Sequence, residues 1–134
     1  MRTKKDEANI MQEVGKIVQK EKTNTIMEKN LESDVLRSVC EYLELKGHFF
    51  WRTNNIPVST WRGGKQVYFN LPKYTPRGLP DIMIVRDGWF IALEIKNYKG
   101  QQSPHQKEFQ KKLADAGGEY YLIRSIDDLK EVGL

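Results

Sequence analysis

The chain has 134 residues, 39% hydrophobic and 30% charged, a size and balance that fit one globular domain able to bury a core. No apolar run approaches the roughly 18 residues of a membrane span, and the charged start MRTKKDEAN lacks the apolar stretch of a signal peptide, so a cytoplasmic protein (or a nuclear one in a eukaryote) is expected. The single Cys40 excludes an intramolecular disulfide, and with only His48 and His105 at unrelated spacing a cysteine-type zinc site is excluded too.

Residues 1–29 carry seven basic and five acidic side chains. Ile10, Val14 and Ile17, four and three apart, predict a weakly amphipathic helical extension. The TNT at 23–25 reads as a break before a domain over 30–134. The extension can pack on that domain, pair with a second copy, or fray. From Asn30 the helical signal strengthens: Asn30 serves as N-cap, Glu32 and Asp34 favour the positive end, and Lys46-Gly47 is the stop. The apolar stripe runs Leu36, Val39 (with Cys40) and Leu43, and one step of four back from Leu36 lands on Glu32. Glu32 on that face is either a first-turn acid answering the helix dipole or a functional carboxylate.

Residues 48–54, HFFWRTN, form an aromatic-rich strand, followed by a loop with Pro57 and Gly63-Gly64. A short strand over 65–70 comes next, then the irregular LPKYTPRGLP. Between Leu45 and Pro80 there is no acidic residue, while Lys46, Arg52, Arg62, Lys65, Lys73 and Arg77 supply six positive charges among Trp51, Trp61, Tyr68, Phe69 and Tyr74. Cations interleaved with aromatics suit phosphate contact and base stacking, in keeping with a formal net charge of +4. Arg52, Trp61, Arg62, Lys65, Lys73, Tyr74 and Arg77 are therefore the candidate nucleic-acid-binding residues. A solvated basic loop is the plainer alternative.

Asp87-Gly88 between two β-rich runs signals a two-residue type I′ hairpin. Facing residues then sum to a constant: Arg86 faces Trp89, Val85 faces Phe90, Ile84 faces Ile91, Ile82 faces Leu93, and Asp81 faces Glu94. Beyond it, SPHQKEFQKKLADAGG (103–118) is a helix with Ser103 as N-cap, Pro104 in the first position and Gly117 at the stop; Gln106, Phe109, Leu113 and Ala116 share one face. EYYLIRS (119–125) is a further strand. A helix bridging two strands of one sheet implies a right-handed parallel crossover and an α/β fold. SIDDLKEVGL closes the chain as a short helix capped by Ser125.

The hairpin arithmetic brings Asp81 beside Glu94, with Cβ atoms roughly 4.5–5.5 Å apart, and alternation sets Lys96 on the face of Glu94 about 7 Å further on. Ile91, Leu93 and Ile95 point the other way, into the core. Like charges facing each other destabilise a ladder unless something positive lies between them. Two converging carboxylates suit Mg²⁺ or Mn²⁺, and the backbone carbonyl of Ile95 can add a neutral ligand. A neighbouring lysine can orient or deprotonate a water for attack on a phosphodiester. The alternative, a surface ion-pair cluster on an edge hairpin, sits poorly with runs as apolar as residues 82–85 and 90–95.

Pro-Asp, a spacer and Glu-x-Lys resemble the signature of the PD-(D/E)XK nuclease superfamily. The ordered set of Glu32 in a leading helix, GLPD (78–81), EIK (94–96), SPHQKEF (103–109), a Gly-Gly stop and YYLIRS resembles its VRR-NUC branch, the virus-type replication-repair nucleases, over about residues 30–130. The resemblance implies a restriction-endonuclease-like core, a central mixed β-sheet flanked by helices (αβββαβ). It implies Asp81 and Glu94 as metal ligands, Lys96 as the catalytic lysine, Glu32 at the metal directly or through water, and Gln106 completing the site. Ser103 to Gln106 is also a capping box, so a purely structural role for Gln106 stays open; His105 reads as a surface histidine. Stand-alone members of this size resemble homodimers acting on branched DNA, which implies a second copy and a four-way (Holliday) junction as partners. The expected activity is thus a Mg²⁺- or Mn²⁺-dependent DNA endonuclease of DNA repair or phage replication. A catalytically silent DNA-binding module of such an assembly and a sequence-specific restriction-type nuclease are the alternatives.

Overall fold

The computed structural model describes residues 2–26, 31–53, 59–68 and 70–134. Along the chain lie α1 (Lys4–Ile26), α2 (Glu32–Lys46), β1 (Phe49–Arg52), β2 (Ser59–Arg62), β3 (Lys65–Tyr68), β4 (Ile82–Arg86), β5 (Trp89–Ile95), α3 (Pro104–Asp115), β6 (Glu119–Ile123) and α4 (Ile126–Glu131). Asp87 and Gly88 both have positive φ, 51° and 80°, which is what a type I′ turn requires. From that turn β4 and β5 pair antiparallel in the expected register, Arg86 with Trp89 through Ile82 with Leu93. β1 adds antiparallel to β4, and β6 adds parallel to β5 after α3. The result is a mixed four-stranded sheet in the order β1-β4-β5-β6, flanked by helices.

One face of the sheet is the core. Ile82, Ile84, Ile91, Leu93, Ile95 and Ile123 pack with Val35, Val39 and Leu43 of α2 and with Ile126 and Leu129 of α4. Burial of such side chains stabilises each by roughly 1.5–3 kcal/mol relative to exposure. On the other face α3 lies against β6, and Phe49, Trp51 and Phe90 form an exposed aromatic row, with ring centroids 5.7 and 6.3 Å apart.

The structure differs from the local expectations, or leaves them outside the described residues, in five places. First, α1 does not break at 23–25 but continues to Ile26. It is docked on the domain: Ile17 joins the core, Val14 and Val18 pack against it, and the buried Glu21 carboxylate accepts the backbone N–H of Ile126 at the start of α4. Second, Asn30 lies outside the described residues, and the cap position of α2 is Leu31, which makes no side-chain cap bond. Third, the buried stripe of α2 is Val35, Ser38, Val39, Tyr42 and Leu43. Leu36 and Cys40 are only partly buried, because α1 packs on α2 and the apolar arc serves two neighbours. Fourth, half of the expected loop is strand: β2 and β3 pair around Gly63-Gly64, both at positive φ, as a sheet of their own; Pro57 and Phe69 lie outside the described residues. Fifth, Gln106, Phe109 and Leu113 are half-buried but Ala116 is exposed, and no residue of α3 is fully buried.

Gly47 ends α2 in the left-handed region, at φ 76°. Ser103 and Ser125 cap α3 and α4, each accepting a backbone N–H in its helix's first turn. Among the described residues no helix is long and apolar enough to cross a membrane.

Candidate metal centre

Asp81 follows Pro80 and directly precedes β4. The ladder stops at Ile82–Leu93, so Asp81 bends over the strand end and does not occupy a paired position opposite Glu94. Its side chain accepts the Ile95 N–H through Oδ2 at 2.8 Å. Its backbone is held by Thr53, whose N–H donates to the Asp81 carbonyl at 3.1 Å and whose hydroxyl donates to the Pro80 carbonyl. The Ile95 amide is thus the group that meets the Asp81 side chain.

Glu94 pairs in the parallel ladder with Leu122 and is only 1% exposed. Its Oε1 accepts from Gln106 Nε2 at 2.6 Å and lies 3.2 Å from Lys96 Nζ. Its Oε2 is buried with no partner. Burial, and secondly the charge of Asp81, push the Glu94 carboxyl up to about 7, against the opposing pull of Lys96.

Lys96 is nearly buried, and its Nζ bridges to Glu32 Oε1 at 3.6 Å. Glu32 is the first residue of α2 and half-exposed, on the flank it shares with Leu36 and Cys40. The turn after Lys96 is closed by Asn97, whose Oδ1 accepts the N–H groups of Lys99 and Gly100. It presses Gly100 on the lysine: a Cβ there would lie 3.0 Å from Lys96 Cδ.

One carboxylate oxygen from each of Glu32, Asp81 and Glu94 lies within 4.8 Å of the others. Three acids against a single lysine leave a local excess of negative charge, and a buried oxygen without a donor is costly. The donor set fits a hard divalent cation, which takes carboxylates, carbonyls and water. Among the described residues no other three such side chains converge this closely.

Gln106 makes both the capping contacts and a contact with Glu94. Its Oε1 accepts the Ser103 N–H at 2.8 Å and its backbone N–H donates to Ser103 Oγ at 3.2 Å, completing the capping box. Its Nε2 is the group that reaches Glu94. His105, next to it, is exposed.

Three supporting residues escape a reading of the sequence. Thr53 and Tyr120 carry no local signal, since they meet the site only across the sheet. Tyr120 packs under α3 against Phe109, its hydroxyl 3.4 Å from Gln102 Nε2, and burial pushes its phenol up to about 12. Asn97 did carry one, an Asn ahead of Lys-Gly, which is turn chemistry.

The seven basic and aromatic candidates are exposed and distributed. Arg52 ends β1 beside Thr53; Trp61, Arg62 and Lys65 sit on the β2–β3 hairpin; Lys73, Tyr74 and Arg77 lie on the segment that leads to Asp81. Lys73 Nζ stands 4.9 Å over the ring of Tyr74, itself 90% exposed and at φ 69°.

Comparison of the chain with family models, curated proteins and solved structures gives no match. The geometry of the site therefore carries the functional reading.

Proposed function

We propose that the chain is a Mg²⁺- or Mn²⁺-dependent DNA endonuclease of the PD-(D/E)XK type, in its virus-type replication-repair branch, acting on branched DNA such as a four-way junction. The observation that carries this reading is the convergence of Glu32, Asp81 and Glu94 with Lys96 Nζ between two of them. The succession α2, β1, β4, β5, α3, β6 supports a restriction-endonuclease-like core.

Asp81 and Glu94 would hold the cation, with Glu32 directly or through a water and the Ile95 carbonyl as a neutral donor. A bound divalent cation supplies Lewis acidity toward the phosphoryl oxygens. Lys96, kept in place by both carboxylates and by Gly100, orients the attacking water and offers a proton acceptor or donor at Nζ. Gln106 fixes the rotamer of Glu94. The exposed cations and aromatics of residues 52–77 bind the backbone and stack on unpaired bases. A second copy of the chain is the proposed protein partner, since a branch is resolved by two cuts and each copy holds one such centre.

A panel of labelled duplex, flap, splayed-arm and four-way substrates with Mg²⁺, Mn²⁺ or EDTA tests the reading. Cutting of branched forms that needs the metal supports it. Full activity in EDTA overturns it. Calorimetry that finds no Mn²⁺ binding would favour a silent DNA-binding module, and discrete plasmid fragments would favour a restriction-type enzyme.

A further inference from the structure

A cleft of about 180 Å³ opens beside the metal centre, lined by Pro76, Arg77, His105, Glu108, Phe109 and Lys112. Its two walls are the segment leading to Asp81 and the first turns of α3. They are locked together at Gly78, which has φ +72° and where a Cβ would fall 2.3 Å from the backbone of His105. Only glycine allows that approach. His105 immediately precedes the Gln106 that grips Glu94, so the cleft and the carboxylates are parts of one continuous construction.

We propose that this cleft holds a nucleic-acid phosphate neighbouring the one that is cleaved; the proposal rests on the nuclease reading above. Its charge argues for an anion. Arg77 makes no ion pair with another described residue, and its guanidinium suits bidentate capture of phosphate. Lys112 is held by Glu108 at 2.8 Å, both side chains being well exposed, so exchanging Glu108 for a phosphate costs little. His105 adds a ring N–H, and Phe109, its ring tilted against that of Tyr120, offers an apolar floor to a sugar. Glu108 then acts as a stand-in anion that the substrate displaces. Its removal should strengthen binding, an effect opposite to that of removing the cations.

The test measures binding of a labelled four-way junction in EDTA across a salt series, and cutting with Mn²⁺. Arg77→Ala with Lys112→Ala should weaken binding about tenfold and lower the salt slope by about 1, for the one phosphate no longer neutralised. Glu108→Gln should tighten binding several-fold and steepen the slope. A single methylphosphonate beside the cleavage position should weaken binding by the wild-type chain and have no effect on the double variant. Unchanged slopes in the double variant, or weaker binding by Glu108→Gln, would overturn the subsite. So would free inorganic phosphate competing equally against both proteins. Loss of cutting in Asp81→Asn alongside such a failure would leave the nuclease reading standing without the subsite. Wild-type cutting by Asp81→Asn would remove the nuclease reading itself, and the slopes and the phosphate competition would still decide whether the cleft holds a backbone phosphate.

Discussion

The two regions assigned to the same task are built in opposite ways. At the open end of the β4–β5 hairpin the charged groups are tied to one another, Glu94 and Lys96 buried and Asp81 and Glu32 partly so: Asp81 to the Ile95 amide, Glu94 to Gln106 and Lys96, Lys96 to Glu32. Along residues 59–77 Trp61, Arg62, Lys65, Lys73, Tyr74 and Arg77 are exposed, and β2 and β3 form a sheet of their own. Chemistry at a phosphodiester needs donors fixed to a fraction of an ångström. Gripping a flexible, highly charged ligand needs reach and positive charge, which exposed side chains supply. The difference predicts that variants at the first region change rate and leave binding, while variants at the second change binding and leave rate.

The largest effect tests the first half. Asp81→Asn and Lys96→Ala should each lower cutting of a four-way junction by a factor on the order of 100 or more, with affinity in EDTA within about twofold of wild type. A parallel loss of binding would erase the contrast between the regions. Next, Gln106→Glu separates the two duties of that residue. A glutamate preserves the capping box, so α3 should stay folded by circular dichroism. It also sets a carboxylate where an amide now donates to Glu94, and cutting should fall about tenfold or more. Ser103→Ala should do the reverse, costing about 1 kcal/mol of stability with cutting largely retained.

The third prediction concerns pH. Without metal the Glu94 carboxyl titrates near 7 in the fold, against an ordinary 4.5. The raised value means that protonation favours the folded state. This contribution is complete below 4.5 and is lost as pH rises through about 7. A divalent cation binds the deprotonated form, so the rise in Tm caused by Mn²⁺ should be larger at pH 8 than at pH 6. Glu94→Gln should abolish that pH dependence in a thermal-shift assay. An equal Mn²⁺ effect at both pH values would place the cation elsewhere. The smallest effects belong to the second region: Lys65→Ala and Trp61→Ala should each weaken binding a few-fold, Lys65→Ala lowering the salt slope by about 1 and Trp61→Ala leaving it unchanged. Turnover at saturating DNA should be unaffected by either.

The sequence by itself determined the β4–β5 hairpin and its register, because a type I′ turn leaves one pairing and alternation then fixes every face. It also marked the meeting of Asp81, Glu94 and Lys96, and both serine caps, all of which depend on residues close along the chain. What it left open was decided by packing between distant segments. Whether α1 docks depended on Ile17 and on Glu21 finding the start of α4. The side of α2 that turns inward depended on sharing its apolar arc between α1 and the sheet. Asp81 leaves the ladder because the Ile95 amide and Thr53 offer it better partners. Gln106 can be cap and site residue together because α3 lies on β6 with its first turn over Glu94. Local chemistry chose the candidate residues; the distances between them are a property of the folded chain.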